Sequence, residues 1–291
     1  MENMGKMVKD SVEASIVGKT VEDRAINYDA FFDHLDPYYK NGGVESVCRK
    51  LFDMINIEPK FVQESNPEFK EMRQKLHTEG GIVIANHPMP PLDVFSVIQS
   101  MALSEEEKAE GKTERTDCKI LVPDEYVEVY RKHFGSENWV STEELKTLSG
   151  FRDILEHINS GGLFIIFPTG LHEETEKKIQ FQDGFASILK RIDKEKMVYS
   201  FSVDYNDIET IRKEHPALLL GVFAEARTAF GEAGNLNDRR PKEFFKVDEN
   251  YSTASQWQET IAAHDKDDVN EALTDLYLSK FVKNDENEAK K

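Results

Sequence analysis

A histidine and an aspartate stand at either end of one proline-bearing stretch, Asn86-His87-Pro88-Met89-Pro90-Pro91-Leu92-Asp93. An imidazole can take a proton from a hydroxyl or amine when one ring nitrogen is unprotonated and within hydrogen-bonding reach. A carboxylate on the other nitrogen sets the tautomer and stabilises the imidazolium that forms. Pro88, Pro90 and Pro91 restrict their own φ and the residues before them, so the loop between His87 and Asp93 is expected to be stiff. His87 and Asp93 are therefore the candidate general base and its orienting acid. The same residues also have a structural use: Asp93 is a good N-cap for the apolar run Val94, Val97, Ile98 and Met101, and His87 can satisfy backbone groups in a tight turn.

A second stretch, Phe167-Pro168-Thr169-Gly170-Leu171-His172, also follows an apolar run. A glycine at a strand end lets backbone N–H groups approach a phosphate or an oxyanion closely. An ordinary Pro-Thr-Gly turn uses the same residues. Lys177 and Lys178, with Lys190 and Arg191 at the far end of the amphipathic segment Phe181 to Lys190, are conspicuous cations in an acidic chain. They suit a phosphate or an acidic carrier, or simply a solvated helix end.

The elements that must position these groups alternate from Gly80 onward between short apolar runs and amphipathic segments, the rhythm of an α/β fold. Ile82 to Ala85, Lys119 to Val122 and Leu163 to Phe167 lack polar alternation, as central strands covered on both faces do. Met197 to Val203 alternates, which predicts a strand nearer the sheet edge. Leu145, Leu148, Phe151, Leu155 and Ile158 form one predicted helical stripe, and Phe181, Phe185, Ile188, Leu189 and Ile192 another. Gly80-Gly81 and Gly161-Gly162 each separate a helical stretch from a strand, where a positive φ is needed. Residues 1–79 read as a helical extension, with Val44, Val47, Cys48, Leu51, Met54 and Ile55 on one face. Residues 80–247 read as the α/β core, and 248–291 as an acidic helical extension packed through Val269, Leu273, Leu276 and Phe281.

Bulk properties exclude several classes. A formal charge of −18 argues against nucleic acid and against a polybasic membrane face. No apolar run approaches the ~20 residues of a spanning helix. Two separated cysteines, Cys48 and Cys118, and no signal-like amino terminus fit a cytoplasmic protein without disulfides. The histidines show no pair at metal-ligand spacing, so no metal is expected. No Gly-x-Ser-x-Gly elbow supports a serine hydrolase.

In order and context these stretches resemble the glycerophospholipid and lysophospholipid acyltransferase family. Its signature is a strand with Asn-His-x-x-x-x-Asp, then a second strand ending in Phe-Pro-Glu-Gly-Thr-Arg. Asn86, His87 and Asp93 match the first element, and Phe167, Pro168 and Gly170 the second. Phe181 to Ile188 looks like the Phe-x-x-Gly helix that follows. The longer spacing is similar to the ornithine-lipid and hemolysin-like branch, Asn-His-Pro-x-x-x-x-Asp. Thr169, Leu171 and His172 stand where most of the family has Glu, Thr and Arg. No arginine follows Trp139-Val140-Ser141, and Ser202 replaces a common proline. These departures argue against glycerol 3-phosphate as acceptor.

The resemblance implies a mixed, largely parallel central sheet flanked by helices, of the glycerol-3-phosphate acyltransferase type. It also implies transfer of a fatty acyl group from acyl-CoA or acyl-carrier protein, with no resident cofactor, to a hydroxyl or amine of a lysophospholipid or related polar lipid. Asn86, Phe167, Pro168, Thr169, Gly170, His172, Lys177 and Lys178 would then bind substrate. An acyl groove is expected along Val94 to Met101, and peripheral membrane contact through an exposed apolar patch. The competing expectation is a catalytically inactive family member that binds lipid or serves as a scaffold.

Overall fold

The structure is a computed structural model, which describes residues 29, 32–33, 35–55, 58–61, 67–86, 92–103, 105–112, 117–169, 181, 184–205 and 243–281. Seven strands form one sheet in the order β1-β7-β6-β2-β5-β3-β4. They are β1 (Glu58–Phe61), β2 (Gly81–Ala85), β3 (Cys118–Val122), β4 (Trp139–Ser141), β5 (Leu163–Ile166), β6 (Met197–Tyr205) and β7 (Glu243–Thr253). All neighbouring pairs are parallel except β6 with β7. The chain is thus α/β with a mixed, largely parallel sheet, as the apolar runs predicted.

Because side chains alternate along a strand, each parallel strand feeds two layers. Val83, Ala85, Leu163, Ile165, Tyr199, Phe201 and Val203 face one. That layer is covered by α1 (Asp36–Ile55), α2 (Pro67–Glu79), α3 (Leu92–Met101) and α5 (Asp124–Phe134), with the short α4 (Glu105–Ala109) following α3. Ile82, Ile84, Phe164, Ile166 and Val198 face the other. There α7 (Leu148–Asn159), α8 (Phe185–Leu189), α9 (Ala254–Ala263) and α10 (Val269–Ser279) close the core, and α6 (Thr142–Lys146) leads from β4 into α7. Burying both faces of these strands removes the alternation a half-exposed strand would show.

Described residues outside 80–247 are built into these layers. Phe32, Leu35, Val47, Met72 and Leu76 lie in the same buried cluster as Val83, and Trp257, Leu273 and Tyr277 in the same cluster as Ile82. β7 runs through the expected boundary at 247/248, so residues 248–253 are strand, and helix begins only at Ala254. The C-terminal half of β7 lies opposite Met197 to Ser202 of β6, which is what keeps it extended.

Three further expectations are corrected. β6 is interior, between β2 and β7. Its alternation reflects small serines beneath a covering layer, since Ser200 is fully buried. Leu148 is 74% exposed instead of joining the α7 stripe. The helix breaks at Thr147, whose hydroxyl caps α7 by accepting from the Gly150 amide, and Leu148 falls on the solvent side of the new first turn. Val94, Phe95, Val97 and Met101 are core residues, with α3 enclosed by its neighbours, so among the described residues they line no open acyl groove.

The glycine pairs do separate helix from strand. Gly80 has φ 66° and Gly161 φ 99°, and a Cβ on Gly80 would fall on the Gly161 carbonyl, so the two turns are packed backbone to backbone.

Candidate active site

The carboxyl edge of the parallel strands is where α/β sheets present ligand-binding loops. Ile84 of β2 is in register with Ile166 of β5. Asn86 and Pro168, each two residues further on, therefore leave the sheet side by side. The two candidate stretches are brought to one edge by this pairing. Pro168 and Thr169 are buried, Thr169 to 4% exposure, and Phe167 packs partly against the core.

Asn86 is held by long-range partners. Its side-chain Nδ2 donates to the Val203 carbonyl at 2.7 Å, and its Oδ1 accepts from the Val203 amide at 2.7 Å. The carboxamide thus does what a peptide group of β2 would do in the ladder to β6. The backbone amide of Asn86 donates instead to the hydroxyl of Tyr277, 3.2 Å away. That hydroxyl donates in turn to the Phe201 carbonyl at 2.5 Å. A side chain therefore continues the sheet while the backbone is released from it, just before His87. Aspartate here would lose the donor, and glutamine is one methylene too long for the same ring of bonds.

Asp93 sits in the first turn of α3, fully buried. A carboxylate removed from water is costly unless it is hydrogen-bonded or paired, so this side chain depends on partners within the fold. Its place at the helix N-terminus also sets it against the positive end of the peptide dipoles. Of the sequence-derived candidates, the structure brings Asn86, Asp93, Phe167, Pro168 and Thr169 to this end of the sheet. His87, Gly170, His172, Lys177 and Lys178 lie outside the described residues.

Among the described residues, three carboxylates have a displaced pKa, two of them, Asp124 and Glu144, just past the carboxyl ends of β3 and β4. Hydrogen bonds from Lys132 and then His133 hold Asp29 below the usual aspartate range. Burial pushes Asp124 up, but hydrogen bonds from Thr142 and from the Glu143 amide outweigh it, leaving a net lowering. Glu144 is lowered first by its bond to Arg131 and then by the Ser141 amide.

Among the described residues, one group has metal-ligand types in proximity: atoms of Asp33, Asp36 and His133 lie within 4.8 Å of one another. His133 Nδ1 is 2.7 Å from Asp36 Oδ1 and its Nε2 is 2.8 Å from Asp29 Oδ1. Each ring nitrogen of His133 thus already faces a carboxylate oxygen of the protein. The cluster docks α1 on α5. Among the described residues no helix is long and apolar enough to cross a membrane. The exposed large apolar side chains there are Tyr38 and Leu148, on helices that cover opposite faces of the sheet, so they form no shared patch.

Tyr277 was not singled out by sequence. Its signal was an aromatic residue with a polar tip, four residues after Leu273 on an apolar stripe, which usually finds a hydrogen-bond partner when buried.

Comparison with protein families and with curated proteins returns no match. Among solved structures, the chain is similar to the crystal structure of the 1-acyl-sn-glycerophosphate (LPA) acyltransferase PlsC from Thermotoga maritima. The identity is 11%, the TM-score 0.44, and the match covers 89% of this chain and 95% of that one.

Proposed function

We propose that the protein is an acyltransferase in which His87 is the general base, oriented by Asp93. It would accept a proton from a hydroxyl or amine of a lysophospholipid or related polar lipid as that group attacks the thioester of acyl-CoA or acyl-carrier protein. The thiol leaves carrying a proton returned by the imidazole, so the ring ends the cycle as it began and no acyl-enzyme is required. Backbone amides near Gly170 would face the developing oxyanion, and Lys177, Lys178 and His172 the charged part of donor or acceptor. Cytoplasmic location with peripheral membrane contact belongs to the same proposal.

The observation that carries it is the junction at the end of β2. Asn86 is pinned by β6 immediately before His87, and the acid that closes the same loop is fully buried at the start of α3. Such a loop has both ends built into the core, as a base and its orienter require.

Transfer of labelled acyl groups from acyl-CoA and from acyl-carrier protein to a lysolipid panel tests this. His87→Ala should lower the rate by about 10²- to 10⁴-fold, the usual contribution of a general base. Equal rates for wild type and variant reject the proposal. Lipid binding without turnover in the wild type would point to an inactive lipid-binding member.

A further inference from the structure

We propose that Tyr277, on the C-terminal helix α10, is a positioning residue for the site, because its hydroxyl holds the backbone amide from which the His87 loop departs. This rests on the proposed role of His87. The ring is almost fully buried, 5.4 Å from the Phe181 ring and 5.2 Å from the Phe281 ring, so packing leaves the hydroxyl little freedom. That hydroxyl accepts from the Asn86 amide and donates to the Phe201 carbonyl, with Asn86 Oδ1 a longer 3.5 Å away. It thereby ties the ends of β2 and β6 to a helix 191 residues along the chain.

The need for such a group follows from the local chemistry. Asn86 uses its side chain, not its backbone, to pair with Val203. Its N–H is linked to β6 through the Tyr277 hydroxyl, which bridges it to the Phe201 carbonyl, and a buried N–H that loses its acceptor is costly. Removing the hydroxyl breaks that bridge, so the Asn86 peptide must shift to find another partner, which disturbs the pairing of the carboxamide with Val203. Either change alters the direction in which the chain leaves the sheet at His87. Remote misplacement of this kind lowers turnover more than substrate binding.

Tyr277→Phe keeps the ring and removes only the hydroxyl. Leu276→Ala, on the same helix and partly buried, serves as the control for general loosening of α10. With the lysolipid assay, Tyr277→Phe should lower kcat by about 10-fold or more, leave KM unchanged and displace the acid limb of the pH profile. Leu276→Ala should change neither parameter comparably. Amide hydrogen exchange and an NMR titration of the His87 ring report on the same link without any turnover. Tyr277→Phe should speed exchange at Asn86 selectively and move the His87 titration. Wild-type exchange at Asn86 together with a wild-type His87 titration overturns the inference, as does equal loss of kcat in Leu276→Ala. If wild-type and His87→Ala proteins transfer acyl groups equally, the proposed function fails, and the exchange and titration still decide the role of Tyr277.

Discussion

At the end of β4 the chain enters α6 through partners between 3 and 19 residues away, whereas the partners of Asn86 at the end of β2 lie 117 and 191 residues away. The β4 corner is charged and partly exposed. Ser141 Oγ accepts from the Glu144 amide at 3.0 Å, and Glu144 returns the bond to the Ser141 amide at 2.8 Å, a reciprocal capping box. Arg131 reaches both carboxylate oxygens of Glu144 at 2.7 Å, and Asp124 receives the Thr142 hydroxyl and the Glu143 amide. At the β2 corner the bonds of Asn86 join neutral groups only. The difference has an energetic consequence: water can replace a lost partner at β4, but at β2 each lost partner strands a buried backbone group.

Asn86→Leu sharpens the contrast most. It keeps the branched four-heavy-atom outline of the side chain and removes both bonds to Val203, so it should destabilise by roughly 2–4 kcal/mol, the cost of leaving a buried N–H and C=O unpaired. Urea unfolding monitored by far-UV circular dichroism measures this. A loss smaller than that of any β4 variant would abolish the distinction between the corners. Ser141→Ala should have the next largest effect, about 1 kcal/mol for a lost N-cap. Thermal unfolding of Ser141→Ala, Glu144→Gln and the double variant should show non-additivity, because the two groups cap each other. Strict additivity would mean that the reciprocal bonds contribute nothing in solution.

The same contrast explains what the sequence disclosed. The parallel core strands were legible because burial on both faces leaves continuous apolar runs, as in Ile82 to Ala85 and Leu163 to Phe167. The juxtaposition of Asn86 with Pro168 was legible too, since both directly follow such runs. The interior place of β6 was not, because Ser200 has a polar side chain yet lies fully buried, and hydropathy patterns read serine as solvent-facing. The strand β7 was missed because its sequence, EFFKVDENYST, is largely polar and becomes extended through β6 and β1. Tyr277 was missed for the corresponding reason: its partner is set by three-dimensional packing, and no short-range spacing encodes a contact with Asn86. Leu148 shows the reverse error, since a single cap at Thr147 shifts the helical phase that a continuous stripe assumes.

The smallest expected effect separates the corners by pH. Glu144 is held below the usual glutamate range by Arg131 first and the Ser141 amide second, and Asp124 is also lowered on balance. A carboxylate whose folded pKa is depressed stabilises above its unfolded value and loses that contribution as pH falls through the folded one. Glu144→Gln keeps an acceptor for the Ser141 amide and drops only the charge. Its cost should therefore be present at neutral pH, shrink through the acid range, and vanish once the native carboxylate is protonated. The Glu144 side chain is 46% exposed, so solvent screens the pair and the neutral-pH cost should be only about 0.2–1 kcal/mol, falling further in high salt. Asn86→Leu exchanges two uncharged side chains, and its cost should stay level over the same range. Urea midpoints for both variants and wild type across neutral and acid pH give the comparison directly. A Glu144→Gln penalty that grew on acidification would reverse the sign required by a lowered pKa. A slope for Asn86→Leu would mean that displacing Asn86 shifts the titration of a neighbouring group, of which His87 is the first candidate.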